Sequence, residues 1–308
     1  MRVLFISDVY FPRVNGVSTS IRTFRADLRD VGIATVLVAP DYGARTLADE
    51  PGVVRIAAGR VPRDPEDRRM KIGALQRGLA QIEQQHFDLV HIHTPFLAHY
   101  AGVRVAARRQ IPVIATYHTF FEEYLHHYVP LLPRALGRTL ARRFTRSQCA
   151  QLASIVAPSA PMRELLAEYG VNTPIHVIPT GLPADRYLAG QGARFRSRFG
   201  IAPERPLLLY VGRVAHEKNI EFLLHALVAL RRTRPGVMLV IAGEGPAREH
   251  LQSLVMQLGI AADVQFIGYL DRERGLADCY AAANVFVFAS RTETQGLVLL
   301  EALAQGCP

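Results

Sequence analysis

The sequence predicts an α/β protein built from two doubly wound, Rossmann-like domains. Short apolar runs rich in Val, Ile, Leu and Phe alternate with segments of helical spacing, the rhythm of parallel βαβ units. That rhythm occurs twice along the chain. Between the two series, residues 184–206 collect Gly190, Gly192, Gly200, Pro203 and Pro206, the composition of a connecting stretch. The expected organisation is an N-terminal domain over 1–183, a linker or hinge over 184–205, and a C-terminal domain over 206–308. A chain of 308 residues, 49% apolar, is long enough to give each domain its own core.

In the first domain, residues 2–7 read as a buried strand, and Asp8–Gly16 as a polar loop broken by Pro12 and Gly16. A helix is expected over 17–31, ended by Gly32, followed by a strand over 34–39. Residues 53–57 suggest a short strand, and the charged, Pro-broken stretch 60–71 an exposed loop. Helical spacing returns at 72–85. Asp88–His93 is the next strand, Thr94-Pro95 opens a helix to Arg109, and 112–116 is a strand running into Tyr117-His118-Thr119. Strands over 153–157 and 175–178 complete the domain. Gly16, just before a helix, lets backbone N–H groups approach an anion; a turn glycine needing positive φ is the competing reading. His118 sits at the carboxyl end of a strand, where parallel sheets place their chemistry. His91 and His93, within the preceding strand, read as structural.

In the second domain, 206–211 is a strand, followed by Gly212-Arg213-Val-Ala-His-Glu-Lys218-Asn219 and a helix to 232. Two cations on one loop suit a diphosphate, because charge-assisted hydrogen bonds are the stronger ones. Lys218 is one of only two lysines among 36 basic residues. A strand over 237–242 ends in Gly243-Glu-Gly245-Pro, a tight turn. A helix over 247–258, a strand over 264–267, a short helix over 278–283 and a strand over 285–288 follow. The last of these leads into Ser290-Arg-Thr-Glu293-Thr294-Gln295-Gly296-Leu297-Val-Leu-Leu-Glu301 and a helix stopped by Gly306 and Pro308. Exposed N–H groups at Gly296 and Leu297 would attract phosphate. Glu293 before that helix end and Glu301 inside the helix are suited to accept hydrogen bonds from hydroxyls. Carboxylates flanking an anion site describe a ligand with phosphates in the middle and hydroxyls at both ends, such as a nucleotide sugar.

Glu293-x7-Glu301, with Gly296 between, resembles the signature of the retaining GT-B glycosyltransferases of family 4. The resemblance extends to Phe11-Pro-x3-Gly16-Val, to Tyr117-His118-Thr119 and, most closely, to Gly212-Arg213-x4-Lys218-Asn219. It implies the GT-B fold, two Rossmann-like domains facing across a cleft. It also implies transfer of glucose or mannose from UDP-glucose or GDP-mannose to an acceptor hydroxyl, with retention and without a metal or other cofactor; the chain contains no Asp-x-Asp. Residues implied as catalytic are His118, facing the sugar, together with Arg213, Lys218 and Glu293. The donor would be held by Gly16, Arg213, Lys218, Glu293, Thr294, Gln295, Gly296, Leu297 and Glu301, with Glu293 on the sugar and Glu301 on the ribose. Backbone groups at Gly268–Leu270 would meet the base. Family members continue beyond a helix equivalent to the one ending here, so the second domain is expected to be incomplete.

The charge distribution suggests an anionic partner: a membrane surface, nucleic acid or a phosphorylated substrate. Residues 1–183 carry 22 Lys and Arg against 15 Asp and Glu, most of the net +9. No acidic residue occurs between Glu123 and Glu164. In that span Tyr124, Leu125, His126, His127, Tyr128, Leu131 and Leu132 precede Arg134, Arg138, Arg142 and Arg146, spaced i, i+4, with Arg143 alongside and Leu136, Leu140 and Phe144 on a second stripe. Such a helix can lie on anionic lipid; a solvated basic face is the competing reading. No nucleic-acid signature accompanies the charge. No apolar run is long enough to span a membrane, and Met1–Ile6 is too short for a secretion signal. Three widely spaced cysteines fit reduced thiols rather than a metal site. Tyr117-His118-Thr119, with Glu122–His126 and Ile178–Leu182, looks most like bacterial diacylglycerol α-glucosyltransferases, with lipid mannosyltransferases close behind. The expected enzyme works in the cytoplasm, peripherally bound to the inner face of the cell membrane. A nucleotide-sugar epimerase and an inactive nucleotide-sugar binder share the same donor features.

Overall fold

A computed structural model describes residues 1–43, 50–61, 64–118, 134–182, 189–271 and 274–308, without the side chains of residues 64, 65, 134 and 135. The chain divides into two compact units, Met1–Gly181 and Leu182–Pro308. In the first, β1 (Arg2–Ile6), β2 (Ala34–Pro40), β3 (Val53–Ile56), β6 (Leu89–Ile92), β7 (Val113–Thr116), β8 (Ser154–Ala157) and β9 (Ile175–Val177) form a parallel sheet. Among the described residues its order is β3-β2-β1-β6-β7-β8-β9. The order reverses between β1 and β6, and the carboxyl ends on either side of such a switch point are where open α/β sheets bind ligands.

Alternation along the strands puts a core on each face of the sheet. On β1, Val3 and Phe5 pack with Ile21 of α1 (Gly16–Asp30). Leu4 and Ile6 pack with Leu75 of α2 (Ile72–Gln81) and with Ala98 and Ala106 of α3 (Leu97–Arg109). Burying each large aliphatic side chain stabilises by about 1.5–3 kcal/mol. Farther along, α4 (Arg134–Cys149) and α5 (Ala160–Glu168) flank β8, and α5 is capped by the Ser159 side chain accepting from the Met162 N–H.

The second unit has β10 (Leu207–Val211), β11 (Met238–Ala242), β12 (Val264–Gly268) and β13 (Val285–Phe286), parallel and in the order β12-β11-β10-β13. Its helices are α6 (Gly192–Arg198), α7 (Ile220–Leu230), α8 (Arg248–Gln257), α9 (Gly275–Ala282) and α10 (Leu297–Ala304). Leu207, Leu209 and Val211 face α6 and α9 through Phe195 and Tyr280. Tyr210 faces the other way, against Ile220 and Leu224 of α7.

Two expectations change. Residues 60–71 are no exposed loop: β4 (Ala58–Val61) and β5 (Asp64–Met70) pair as an antiparallel hairpin. The charges that suggested a loop have a partner. The nearly buried Arg13 guanidinium sits 2.7 Å from Glu66 and 2.9 Å from Asp67, and Met70 is buried in the core.

The stretch 184–205 is also more than a linker, since it contains α6. A Cβ on Gly190 would overlap the Ala277 carbonyl, and one on Gly192 the Ala281 carbonyl. These glycines allow close approach to α9. Arg196 then locks the helix in place. It donates to the carbonyls of Ala282 at 2.8 Å, Ala202 at 2.8 Å and Arg205 at 2.8 Å, and to Asn284 Oδ1 at 3.2 Å.

Candidate functional site

In the first unit, polar side chains gather at the carboxyl ends of β1, β6 and β7. Thr94 Oγ1 donates to Asp8 Oδ2 at 2.8 Å and accepts from the Asp8 N–H at 2.7 Å, so the two sides of the switch point are joined. Asp8 also accepts from the Ala98 N–H at the start of α3, and burial raises its pKa above the ordinary carboxylate value. Gly16 is the first residue of α1. It is not among the positive-φ residues, which removes the turn-glycine reading, and a Cβ there would meet nothing within 4 Å. Asn15 caps the helix, its Oδ1 accepting from the Ser18 N–H at 2.8 Å. One of the amides at this helix end is therefore already satisfied.

His118 follows β7. Its Nε2 lies 3.2 Å from His93 Nδ1, and the two ring planes are within 22° of each other. His91 Nε2 is 2.7 Å from Thr116 Oγ1. Burial lowers all three imidazoles, His118 to about 4, His91 to about 3 and His93 well below its ordinary value, so each is neutral at neutral pH.

The second unit brings its motifs together at its own switch point, between β10 and β13. Lys218 Nζ is 2.5 Å from Glu293 Oε1, a bond between residues 75 positions apart. Lys218 ends a 3-10 turn, His216–Lys218, and Asn219 takes left-handed backbone (φ 54) before α7. Asparagine adopts that conformation more readily than most side chains. Its amide also reaches the Ala289 carbonyl at 3.4 Å. Arg213 lies 3.5 Å from Glu217, and its carbonyl accepts from Tyr210 OH at 3.0 Å. The Gly243–Gly245 turn supports this loop from beside it. A Cβ on Gly243 would overlap Gly212 O, and the Val214 N–H bonds to Glu244 O at 2.9 Å.

Thr294 and Gln295 lie on the half-buried loop after Glu293. Gly296 holds left-handed backbone (φ 70) as the N-cap of α10, and Leu297 is the first residue of that helix. Glu301 is buried on the inner face of α10, where Tyr280 OH donates to its Oε2 at 3.1 Å.

The basic helix α4 turns Ala141, Thr145, Gln148 and Cys149 inward. Gln148 Nε2 donates to Pro95 O at 2.7 Å, and Tyr117 OH meets Thr145 Oγ1 at 3.1 Å. Arg138, Arg142, Arg143 and Arg146 are exposed. So are Leu136 and Leu140, at 49% and 46%. The Arg134 side chain, Thr119, and the Tyr- and His-containing stretch from Tyr124 to Leu132 lie outside the described residues, as does Pro183. Among the described residues, no helix is long and apolar enough to cross a membrane.

Reading the sequence did not single out Asn15 or Tyr280, and it took His93 for a structural residue. Asn15 carried a usable signal, an Asx residue directly before a helix. His93 and Tyr280 carried none, since their partners are distant in sequence.

Comparison with known proteins matches each unit to a glycosyltransferase family model. Residues 14–186 match the model for Glycosyltransferase Family 4, and residues 193–308 the model for Glycosyl transferases group 1. The chain is 32% identical to an alpha-monoglucosyldiacylglycerol synthase of Streptococcus pneumoniae over 100% of its own length and 70% of that protein. It is 28% identical to a GDP-mannose-dependent alpha-mannosyltransferase of Corynebacterium glutamicum, over 100% of this chain and 71% of the relative. Among solved structures, Anabaena HepE in complex with UDP-glucose aligns with a TM-score of 0.76 and 16% identity, covering 100% of this chain and 79% of that one.

Proposed function

Because the chain belongs to the family 4 and group 1 glycosyltransferases, with the Rossmann-like units of the GT-B class, we propose that it transfers a hexose to a membrane lipid. The donor is UDP-glucose or GDP-mannose, the acceptor a lipid hydroxyl such as that of diacylglycerol, and the anomeric configuration is retained without a metal. The observation that supports this reading best is the Lys218–Glu293 contact, which joins the cation loop to the carboxylate loop at one switch point. Lys218 and Arg213 stabilise the departing diphosphate, aided by the amides at the starts of α1 and α10. Glu293 accepts from sugar hydroxyls and Glu301 from the ribose, with Thr294, Gln295, Gly296 and Leu297 shaping the donor loop. His118 contributes a polar contact to the sugar. The leaving phosphate oxygen takes the acceptor proton.

The lipid acceptor draws support from the name of the Streptococcus pneumoniae relative, an alpha-monoglucosyldiacylglycerol synthase, and from α4, where Arg138, Arg142, Arg143, Arg146, Leu136 and Leu140 face outward. Arginine heads with leucines between them suit an anionic bilayer surface, here the cytoplasmic face of the cell membrane. Incubation with UDP-glucose or GDP-mannose, with and without diacylglycerol vesicles, should yield α-glycolipid only when vesicles are present. Formation of an epimeric nucleotide sugar, or donor binding with no product, would replace this reading with an epimerase or a binder. Reversing Arg138, Arg142, Arg143 and Arg146 to Glu should lower sedimentation with phosphatidylglycerol vesicles at least tenfold, at about 1 kcal/mol per charge near the surface. Unchanged sedimentation would remove α4 from the docking surface.

A further inference from the structure

His93 is 1% exposed and fixed on several sides. Phe5 stacks on it at 5.1 Å with planes 15° apart, and the His91 ring lies 4.1 Å away. Its Nδ1 is the atom that meets His118 Nε2 at 3.2 Å. Its Nε2 is buried without a partner among the described residues. A neutral imidazole has one N–H and one lone pair, so a bond between two neutral rings has a direction. A proton on His93 Nε2 would bury an unpaired donor, the rarer and costlier arrangement, whereas a lone pair there leaves an acceptor unmet. The arrangement that avoids an unpaired buried donor has the proton on His93 Nδ1, donated to His118 Nε2.

Resting on the sugar-contact role given to His118 above, we propose that His93 is a positioning residue: its Nδ1–H holds His118 as the Nδ1–H tautomer and fixes the orientation of its ring. The consequence is chemical. With its Nε2 committed inward, His118 presents an N–H donor at Nδ1 and can donate to a sugar oxygen but not accept a proton there. The pairing makes His118 a binding group, in keeping with an acceptor proton that leaves through phosphate.

The tests are His93→Asn and His93→Gln in the full chain, with His93→Phe as a third. The Asn amide nitrogen can occupy the Nδ1 position; the Gln amide reaches toward Nε2 instead. His93→Asn should keep kcat within about threefold, and His93→Gln and His93→Phe should lose about tenfold or more, with donor KM little changed in each, because misdirecting one polar contact costs on that order. Long-range nitrogen-15 correlation spectra should show His118 in the Nδ1–H form in the wild type and in His93→Asn, and a different tautomer balance in His93→Gln. An Nε2–H form of His118 in the wild type, or equal kcat for the Asn and Gln variants, would overturn the proposal. A His118→Ala variant with unchanged turnover would instead overturn the role given to His118, and the spectra would still decide whether His93 sets its tautomer.

Discussion

Lys218→Ala is expected to lower kcat for the proposed hexose transfer from a nucleotide sugar by about 10²–10³, the usual loss when one preorganised charge-stabilising donor is removed. The change in donor KM should be smaller, because the diphosphate gains charge as it departs and the ammonium matters most then. Lys218 also neutralises Glu293 at 2.5 Å, so its removal leaves a half-buried carboxylate beside the leaving group. That second effect predicts non-additivity. Glu293→Gln alone should also be severe, but the double variant should lose less than the product of the two single losses, since the carboxylate left uncompensated in Lys218→Ala is then gone. Steady-state kinetics on the four proteins, with far-UV circular dichroism to confirm folding, measure this directly. Wild-type kcat in Lys218→Ala would sink the diphosphate role of the loop.

The second large effect concerns stability. Arg196→Ala should destabilise the second unit by about 3 kcal/mol, since several buried carbonyls lose their donor and only some can recover water. For a unit of this size that corresponds to a fall in Tm of about 10 °C. No carboxylate pairs with Arg196 among the contacts described; its charge is held by peptide oxygens, so lysine, with one compact head, cannot reach them all. Arg196→Lys should therefore recover little. Arg198→Ala, exposed on the same helix, should change stability by less than about 0.5 kcal/mol. The chain has no tryptophan, so circular dichroism or tyrosine fluorescence is the probe. An unchanged unfolding midpoint in Arg196→Ala would show that α6 is dispensable to the unit.

Much of this architecture was legible because parallel sheets write themselves locally. Buried strands are short apolar runs, and several helices stop just before a glycine of positive φ, as at Gly32 and Gly306. The motifs proposed to hold the donor could be placed on their loops for the same reason, each lying within one strand–loop–helix passage. What failed to show was everything set by a neighbour far along the chain. Gly190 and Gly192 looked like flexibility and are points of close contact with α9. The acidic residues Glu66 and Asp67 of β5 read as solvated from sequence, but Arg13 contacts both. His93 looked like core because alternate residues of a buried strand face the core, and only the adjacent strand β7 gives its ring nitrogen a partner. A side chain's type is read from sequence, whereas its partner depends on strand order.

The uncharged imidazoles at the ends of β6 and β7 tie the first unit to proton concentration. His91, His93 and His118 in the folded chain refuse the proton that each would accept near pH 6.5 once unfolded. Folding in mild acid must therefore expel protons. The first unit is then most secure above about pH 6.5 and weakens as the medium is acidified toward pH 4, by on the order of 1 kcal/mol per pH unit for each ring. Asp8 pulls the opposite way, holding its proton above the ordinary value of 3.8, but three rings outweigh one carboxyl. A compartment that turns acidic would loosen this half of the molecule first.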